Sequence, residues 1–448
     1  MYRKEPKIYP REAKGRFARL RKLAVWVLLG LFYVACWLQW DGQQAVLFDL
    51  PARKFHIFGL TLWPQDFIYL TGLLIVAGLS LFFFTALAGR LWCGFACPQT
   101  VWTEVFLMME QWVEGDRNKR IKLDKAPWTA RKIWKKSLKQ FLWITFALWT
   151  GFTFVGYFTP VLELGPKILA LDTGPWETFW VFFYGLATYG NAGFLREQVC
   201  KYMCPYARFQ SAMFDKDTLI ISYDEDRGEP RGKRKKNADL EALNLGSCVD
   251  CTLCVQVCPT GIDIRDGLQY ECIACAACID VCDEVMDKMN YPRGLIRYTT
   301  EHAVHGEPTK VVRPRTLIYA TLLTLVTIAL VVSVFNRTPL RMEVLRDRNA
   351  LYRVVDPATV ENVYTLKIVN MEDVDRNYTV SVEGPEGLRI DGDSTVEMKA
   401  GAAEAFVLRL RAPTELGTGR RDIRVSLETE GPDAISVHRD STFFLPFN

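Results

Sequence analysis

The chain has 448 residues, of which 50% are hydrophobic and 13% aromatic, and its 55 basic and 51 acidic residues leave a formal net charge of +4. This composition is too apolar for an ordinary soluble protein of this length. The near balance of charge argues against a nucleic-acid-binding protein, so we interpret the basic runs as topology signals and lipid-headgroup contacts.

Five stretches are apolar over the roughly 20 residues that a helix needs to cross a hydrocarbon core. They are residues 23–40, 67–87, 141–159, 176–195 and 317–335. The fourth is the weakest, because it contains Glu177, Asn191 and three glycines. We therefore predict an α-helical transmembrane bundle of five spans.

Positive charge beside these stretches predicts their orientation, because short cytoplasmic loops are rich in Lys and Arg. Residues 1–22 contain nine such residues and residues 90–139 contain eleven, whereas the opposite loops contain only Arg53, Lys54 and Lys167. The N-terminus is then cytoplasmic and the C-terminus lies outside. The first span is too long to be the apolar part of a signal peptide, and no small-residue cleavage site follows it.

Two similar motifs, "RLWCGFACPQT" and "REQVCKYMCPYAR", follow the second and fourth predicted spans at a separation of 107 residues. Each has two cysteines four residues apart and a proline directly after them, the cysteines being Cys93, Cys97, Cys200 and Cys204. Residues i and i+4 share a helix face, so each pair is predicted to converge on a helix that the proline ends or distorts. The repeat predicts four thiols that meet around a pseudo-two-fold axis on the cytoplasmic side.

The sequence leaves three uses of these thiols open. Soft thiolates favour Cu(I) over Cu(II), so the first is a copper site that assists reduction of the metal. The second is a dithiol relay that cycles with a disulfide, and the third is simple packing of small buried cysteines. We interpret Cys36, alone in the first span, as a packing residue, and we interpret Met108, Met109 and Met203 in the same way.

Eight further cysteines follow a charged linker and form the runs "CVDCTLCVQVC" and "CIACAACIDVC". In two-cluster ferredoxins, three cysteines of one such run and the fourth of the other hold each 4Fe-4S cluster. The predicted ligand sets are therefore Cys248, Cys251, Cys254 and Cys282 for one cluster, and Cys272, Cys275, Cys278 and Cys258 for the other. Disulfides are disfavoured in a cytoplasmic segment, and zinc sites usually pair separate C-x2-C knuckles.

Other cofactors find no support in the sequence. None of the four histidines lies in a predicted span, so a haem held there by two histidines has no ligands. There is no dinucleotide-binding fingerprint and no phosphate-binding loop. Electrons are therefore expected to come from a partner protein and to leave to another acceptor.

Beyond residue 336 the sequence changes to short alternating runs, "VYTLKIVN", "NYTVSVEG", "STVEMKA", "AFVLRLRAP", "IRVSLET" and "TFFLPFN". They predict about seven strands in an immunoglobulin-like β-sandwich. The predicted organisation is a basic cytoplasmic tail at 1–22, four transmembrane helices at 23–195, a cytoplasmic linker and two-cluster ferredoxin-like domain at 196–313, a fifth transmembrane helix at 314–336 and an outer sandwich at 337–448.

The paired "CGFACP" and "CKYMCP", the linker "YDEDRGEPRG", the two cluster runs and the sandwich together resemble the CcoG/FixG/RdxA family of cytochrome c oxidase accessory proteins. The resemblance covers nearly the whole chain. It implies a multi-pass protein of the bacterial inner membrane, with a periplasmic last domain, that reduces Cu(II) to Cu(I) for assembly of cbb3-type haem-copper oxidases. The family's cluster ligands fall on the eight cysteines from Cys248 to Cys282, and its membrane motifs on Cys93, Cys97, Cys200 and Cys204.

The partners implied by this resemblance are a cytoplasmic electron donor, copper chaperones or transporters, and oxidase assembly factors, and a homodimer is left open. The sequence leaves two rival functions. An electron-transfer subunit resembling the quinol dehydrogenases of the NapH/NosR type shares both motif classes, but it does not need a strand-rich domain behind a fifth span. A non-catalytic assembly scaffold would keep its clusters for structure alone.

Overall fold

The computed structural model describes residues 7–236, 238–347, 350–372, 374–429 and 434–446. The chain divides into two compact units, residues 1–330 and 331–448. Residues 1–6 of the predicted tail and residues 447–448 of the predicted sandwich lie outside the described residues.

The first unit is mainly helical. The α-helices of the chain are α1 Arg16–Ala35, α2 Phe67–Ala88, α3 Leu91–Phe95, α4 Pro98–Glu114, α5 Arg117–Lys125, α6 Ala130–Val155, α7 Val161–Leu169, α8 Pro175–Thr188, α9 Pro205–Ala212, α10 Glu225–Gly228, α11 Leu240–Leu243, α12 Leu253–Val257, α13 Ala277–Met289, α14 Glu301–Val304 and α15 Pro314–Phe335. Two π-helical segments occupy Tyr189–Leu195 and Val199–Met203. Helices therefore occupy most of each of the five stretches predicted to span a membrane.

Among the described residues, α2 and α15 are the helices that are long and apolar enough to cross a membrane by length and composition. The other three spans stay predictions. Helices α1 and α6 begin within basic sequence, and α8 ends at Thr188, where π-helical geometry continues the chain through the glycine-rich part of the fourth stretch.

The N-terminus of α1 is anchored on the ferredoxin-like segment. The Asp280 carboxylate of α13 accepts hydrogen bonds from the backbone N–H groups of Phe17 at 3.0 Å and Ala18 at 2.7 Å. A carboxylate here accepts hydrogen bonds from N–H groups that have no partner within the first helical turn. Its negative charge also interacts favourably with the positive end of the helix dipole. The last part of the predicted tail is thus a helix bound to the cysteine-rich segment.

The strands of the first unit are short: β1 Gln39–Trp40, β2 Gln43–Gln44, β3 Val46–Asp49, β4 Lys54–Ile57, β5 Leu60–Leu62, β6 Ile220–Tyr223 and β7 Ile296–Thr299. Strands β3, β4 and β5 form a small antiparallel sheet, and β6 pairs with β7. The β6–β7 pair joins the two ends of the cysteine-rich segment. Its residues Ile221 and Ile296 share a buried core with Met286 of α13.

The second unit is a β-sandwich. Its strands are β8 Leu340–Arg346, β9 Arg353–Asp356, β10 Thr359–Asn370, β11 Arg376–Glu383, β12 Arg389–Asp391, β13 Thr395–Met398, β14 Ala403–Pro413, β15 Arg420–Thr429 and β16 Ser436–Phe444. One sheet has the order β12-β14-β10-β8 with β9 beside β10, and the other has the order β13-β11-β15-β16. The predicted sandwich is confirmed, but β8, β9 and β12 were not among the predicted runs. Strand β9 has no buried residue and β12 has only three residues, so neither shows an alternation of buried and exposed positions that could be recognised.

Packing and hydrogen bonds hold this sandwich, which contains no cysteine. Tyr364 of one sheet and Phe443 of the other are at most 1% exposed, and the Tyr364 hydroxyl donates to Thr442 O across the core at 2.8 Å. Asn362 binds the backbone of Phe444 through both amide atoms, each at 2.8 Å.

Candidate functional site

Each cysteine run forms a tight loop that leads into a helix, α12 or α13. Asp250 and Thr252 in the first run have φ values of 48° and 55°, and Ala274 and Ala276 at the same positions of the second run have 53° and 59°. Such left-handed residues are uncommon outside glycine. Paired with right-handed neighbours, they turn successive backbone N–H groups inward, a conformation found around many Fe–S clusters.

Two small cavities lie beside these loops, and both are lined by cysteines of both runs. The first is lined by Cys248, Cys251, Cys254 and Cys282. The second is lined by Cys258, Cys272, Cys275 and Cys278, and Cys254 of the first set also borders it. The fold therefore places the fourth cysteine of each run with the first three of the other. Two cavities with four thiols each suit 4Fe-4S clusters, which are held by four thiolates.

At least four of the eight thiols are strongly shielded from water. Burial raises the pKa of Cys254, Cys272 and Cys282 to about 12 and raises the pKa of Cys278 well above its usual value. The other three cysteines of its set raise the pKa of Cys282 further. Without a metal these thiols are protonated at neutral pH, and iron displaces the protons when it binds.

The two sets differ in their exposure to solvent. In the first set Cys251 is exposed while Cys248 and Cys254 are buried, whereas all four cysteines of the second set are half-buried. One cysteine of the first set therefore reaches the protein surface.

The two cysteine-proline motifs have similar backbone conformations, and these differ from the predicted one. Cys93 lies in α3 and Cys200 in the second π-helical segment, but Cys97 and Cys204 follow those helices, and the prolines after them begin α4 and α9. The prediction that each pair shares one helix face is therefore wrong. Proline suits the first helical position, where its missing N–H loses no hydrogen bond, so it begins a new helix here.

The same hydrogen bond closes both motifs. The backbone N–H of Cys97 donates to Trp92 O at 2.9 Å, and that of Cys204 donates to Val199 O at 2.8 Å. Both bonds reach five residues back, which gives the wide turn of a π-helix rather than the α-helical turn of four. The sequence repeat is thus also a repeat of local structure.

The two repeats are joined by reciprocal hydrogen bonds. The helix before each motif ends at a residue with positive φ, Gly89 at 54° and Arg196 at 40°. Gln210 of the second repeat donates to Gly89 O at 2.9 Å, and Gln99 of the first donates to Arg196 O at 3.1 Å. The acceptors Gly89 and Arg196 occupy equivalent positions of the repeat, but the donors do not, because Gln99 corresponds to Tyr206. The two bonds therefore link the motifs without being related by a pseudo-two-fold axis.

The four motif thiols lie within electrostatic range of one another. Burial raises the pKa of Cys93 to about 12 and that of Cys200 to about 11, and other motif cysteines raise both values further. The Cys93 thiol donates to Gln210 Oε1 at 3.4 Å. Within the part of the chain that the structure describes, no three His, Cys, Asp or Glu side chains are close enough to hold a single metal ion. The four thiols are neighbours, and they are not a preassembled ligand set for one ion.

The first motif packs directly on the second cysteine loop. A Cβ atom added to Gly94, between Cys93 and Cys97, would lie 2.7 Å from Ile273 O and 2.8 Å from Cys275 Cα. These distances leave no room for a side chain. The backbone of the thiol motif therefore touches the backbone of a predicted cluster ligand.

Two buried arginines complete this junction, and the sequence analysis missed both of them as well as the glycine. Arg21 of α1 donates to Cys275 O, and Arg90 donates to Tyr270 O and, at 3.4 Å, to Cys272 O. Their distance along the chain from these acceptors hides the contacts from any spacing rule. The position of Arg90 at the end of an apolar span was the one available signal.

The comparison with known proteins covers almost the whole chain. The chain is 41% identical to the protein RdxB of Cereibacter sphaeroides, over 99% of this chain and 97% of that protein. It is 39% identical to RdxA of the same organism, over 96% and 95% of the two chains, and 40% identical to the nitrogen fixation protein FixG of Rhizobium meliloti, over 88% and 83%. The chain belongs to the FixG/RdxA family.

Family models match three segments of this FixG/RdxA protein. They are a 4Fe-4S binding domain at residues 70–120, a 4Fe-4S dicluster domain at 195–301 and the immunoglobulin-like fold at the C-terminus of FixG at 330–446. The chain is thus an iron-sulfur electron-transfer protein, and its relatives together with α2 and α15 indicate a membrane protein. Residues 70–120 contain only Cys93 and Cys97, so that segment alone does not supply the four ligands of a cluster.

The four other sulfur-containing side chains that were predicted to pack lie in three different surroundings. Cys36 is fully buried, and its thiol donates to Tyr33 O at 3.6 Å. Met108 and Met109 pack against apolar residues of α1 and α4, whereas Met203 is 59% exposed. The surroundings of the first three suit packing residues.

Replacing Gly94 by alanine is expected to push the thiol motif away from the second cysteine loop, because the new methyl group would overlap backbone atoms there. Overpacking of this kind costs about 1–3 kcal/mol. The midpoint of thermal unfolding in detergent should fall, and the paramagnetic resonance spectrum of one reduced cluster should change. Gly30→Ala is the matched control, since a Cβ at Gly30 meets nothing within 4 Å. Equal behaviour of the two variants would contradict the contact.

Proposed function

We propose that this protein reduces Cu(II) to Cu(I) for the assembly of cbb3-type cytochrome c oxidase, with copper as its substrate. The observation that carries the proposal is the packing of Gly94 on the backbone of Ile273 and Cys275. It sets a pair of soft metal-binding thiols against a loop of the iron-sulfur domain. This junction suits the passage of electrons to a thiol-bound metal.

The eight cysteines of the ferredoxin-like segment are assigned to two clusters in this proposal. Cys248, Cys251, Cys254 and Cys282 hold the first cluster, and Cys258, Cys272, Cys275 and Cys278 hold the second, an assignment that the two thiol-lined cavities support. When bound, each cluster takes up and releases one electron at a time. Because Cys251 is exposed, we expect the electron donor to dock beside the first cluster.

The four motif thiols of Cys93, Cys97, Cys200 and Cys204 are the proposed copper ligands. Thiolates are soft and stabilise Cu(I) relative to Cu(II), which increases the driving force for reduction. Their burial adds to this effect, because surroundings of low polarity disfavour the higher charge of Cu(II). A dithiol relay at the same positions is the alternative, and it predicts that oxidation removes free thiols without bound copper.

The proposed arrangement in the membrane has five spans, a cytoplasmic N-terminus, cytoplasmic clusters and a periplasmic sandwich, in the inner membrane of a bacterium. The nine and eleven basic residues of the segments 1–22 and 90–139 support this orientation. The partners would be a cytoplasmic electron donor, and copper chaperones or transporters with the assembly factors of the oxidase.

A reporter enzyme that works only outside the cytoplasm should be active when fused after Asn448 and inactive when fused at Lys235. The physical reason is that the basic segments hold their flanks inside. An active fusion at Lys235 would overturn the orientation. A fusion of the same reporter at Arg117, in another basic segment, serves as a second inside control.

The function is tested by reducing the purified protein without oxygen and then adding either Cu(II) or a soluble quinone analogue. We expect Cu(II) to reoxidise the clusters, with one Cu(I) formed for each electron lost, as measured with a Cu(I)-specific chelator. Reoxidation by the quinone alone would support the quinol-dehydrogenase function instead. Reoxidation by neither would leave the scaffold function.

A further inference from the structure

Two buried arginines bind the backbone of the second cysteine loop. Arg21 and Arg90 are only 9% and 5% exposed, and their guanidinium groups donate to the carbonyl oxygens of Cys275, Tyr270 and Cys272. Both come from outside the ferredoxin-like segment, Arg21 from α1 and Arg90 from the link between α2 and α3. Among the described residues neither arginine forms an ion pair, so their two positive charges are left largely uncompensated.

The first cysteine loop has no comparable excess of buried positive charge. Arg265 lies beside it, but Asp263 and Asp250 neutralise its guanidinium through ion pairs of 2.6 Å and 2.7 Å. Arg234 donates to Cys248 O at 3.1 Å, but it is half-buried, so part of its side chain reaches water, whereas Arg21 and Arg90 are buried. Water screens charges there far more strongly than in the interior.

The position of Arg90 extends its effect to the thiol motifs. Its guanidinium counteracts the burial that raises the pKa of Cys272, and it does the same for Cys93 and Cys200. Two carboxylates lie beside the second set: Glu104, which acts on Cys275, and the buried Asp280, two residues after Cys278. The Asp280 charge is offset by the N–H groups and the positive dipole end of α1 that it binds. The half-buried Glu104 is then the carboxylate that opposes two buried guanidinium groups, and one such charge does not cancel both.

We propose that Arg21 and Arg90 hold the second cluster at a higher reduction potential than the first. The potential of such a cluster depends on local charge, hydrogen bonding and exposure to solvent, and a buried positive charge stabilises the reduced form, which is more negative by one charge. When one electron has been added to the pair of clusters, it resides at equilibrium mainly on the second cluster and not on the first. The electron then rests beside the thiol motifs, so the charge distribution gives the protein a direction of flow. The inference rests on the cluster assignment of the proposed function and deepens it.

The test is a redox titration of the full-length protein, followed by paramagnetic resonance and carried out in the absence of copper. Arg90→Gln and Arg21→Gln should each lower the potential of one and the same cluster, which in the wild type is the higher of the two. Arg90→Lys keeps the charge and should retain most of the wild-type potential. Arg234→Gln is the matched control, because its guanidinium binds a carbonyl of the other loop, and it should move only the lower potential.

Iron content is measured for each variant, since loss of the hydrogen bonds of Arg90 can itself release a cluster. If Arg90→Gln loses iron, Arg21→Gln decides the question. The inference is overturned if fully loaded Arg21→Gln leaves both potentials unchanged, or if Arg90→Lys shifts the potential as far as Arg90→Gln does. Because no copper is present, a failure of Cu(II) reduction leaves this result standing, and a failure here leaves copper reduction untouched.

Discussion

Replacing Cys93 and Cys97 together by serine is expected to abolish the reoxidation of the reduced clusters by Cu(II) while the iron content stays at the wild-type level. The motif thiols lie outside both cysteine-lined cavities of the ferredoxin-like segment, so the iron sites should form normally. Loss of outer partners of metal ligands alone costs about 10–100-fold in affinity or activity. Loss of two ligands should therefore slow reoxidation by at least about 100-fold, measured by stopped-flow absorbance under anaerobic conditions.

The pair Cys200 and Cys204 should behave in the same way, because reciprocal hydrogen bonds from Gln99 and Gln210 join the two repeats. Cys36→Ser is the matched control, a buried thiol outside both motifs, and it should reoxidise at the wild-type rate. Cells with either pair variant should make less active haem-copper oxidase when copper is scarce. Full copper reactivity in the variant that lacks all four thiols would make the motifs packing devices.

The iron content of the pair variants separates two further possibilities. The match of residues 70–120 to a 4Fe-4S binding domain raises the question of whether the motif thiols themselves hold iron. Wild-type iron in both pair variants would exclude that role. A fall in iron content in both of them would assign an additional cluster to the four thiols and would contradict the copper site.

Replacing Cys258 by serine is expected to destroy the second cluster and to spare the first, although Cys258 belongs to the first run in sequence. Its thiol lines the cavity of Cys272, Cys275 and Cys278. Iron content should fall from about eight atoms per chain to about four, since each cluster holds four irons. Iron analysis of anaerobically purified protein measures the change.

Double variants decide between the crossed grouping and a grouping run by run. With crossed ligands, Cys251→Ser combined with Cys258→Ser removes both clusters, whereas Cys275→Ser combined with Cys258→Ser removes only one. A run-by-run grouping predicts the opposite result for each pair. Retention of about four irons when Cys251 and Cys258 are both replaced would therefore contradict the assignment, given that a cluster holds four irons.

The cysteine loops show what can be predicted from local pattern. A cubane cluster needs thiols at short, fixed intervals, so spacing alone predicted eight cluster cysteines in two crossed sets. The lining of the two cavities accords with this grouping, which stays a prediction. The alternating runs of the C-terminal domain were sufficient to predict a sandwich, because each strand buries one face. They did not reveal β9 or β12, which are held by pairing with β10 and β14 rather than by alternation of their own.

The cysteine-proline motifs show where local pattern fails. Spacing of four residues predicted a shared helix face, but Cys97 and Cys204 leave the helix before the proline begins another. A proline can end the helix that precedes it, and it can also be the first residue of a new helix. Which of the two occurs depends on the segments that pack against the motif.

The sequence by itself determined the classes of residue that this protein uses: eight cluster cysteines, four motif thiols, apolar stretches with basic flanks and a strand-rich domain. Each of these follows from spacing or composition within a few dozen residues. Only the tertiary structure decided that Gly94 touches Cys275 and that Arg21, 254 residues away from that cysteine, binds its carbonyl oxygen. Burial and uncompensated charge are properties of segments brought together by folding, so the contact between thiols and cluster loop, and the charge beside it, have no signature in the linear sequence.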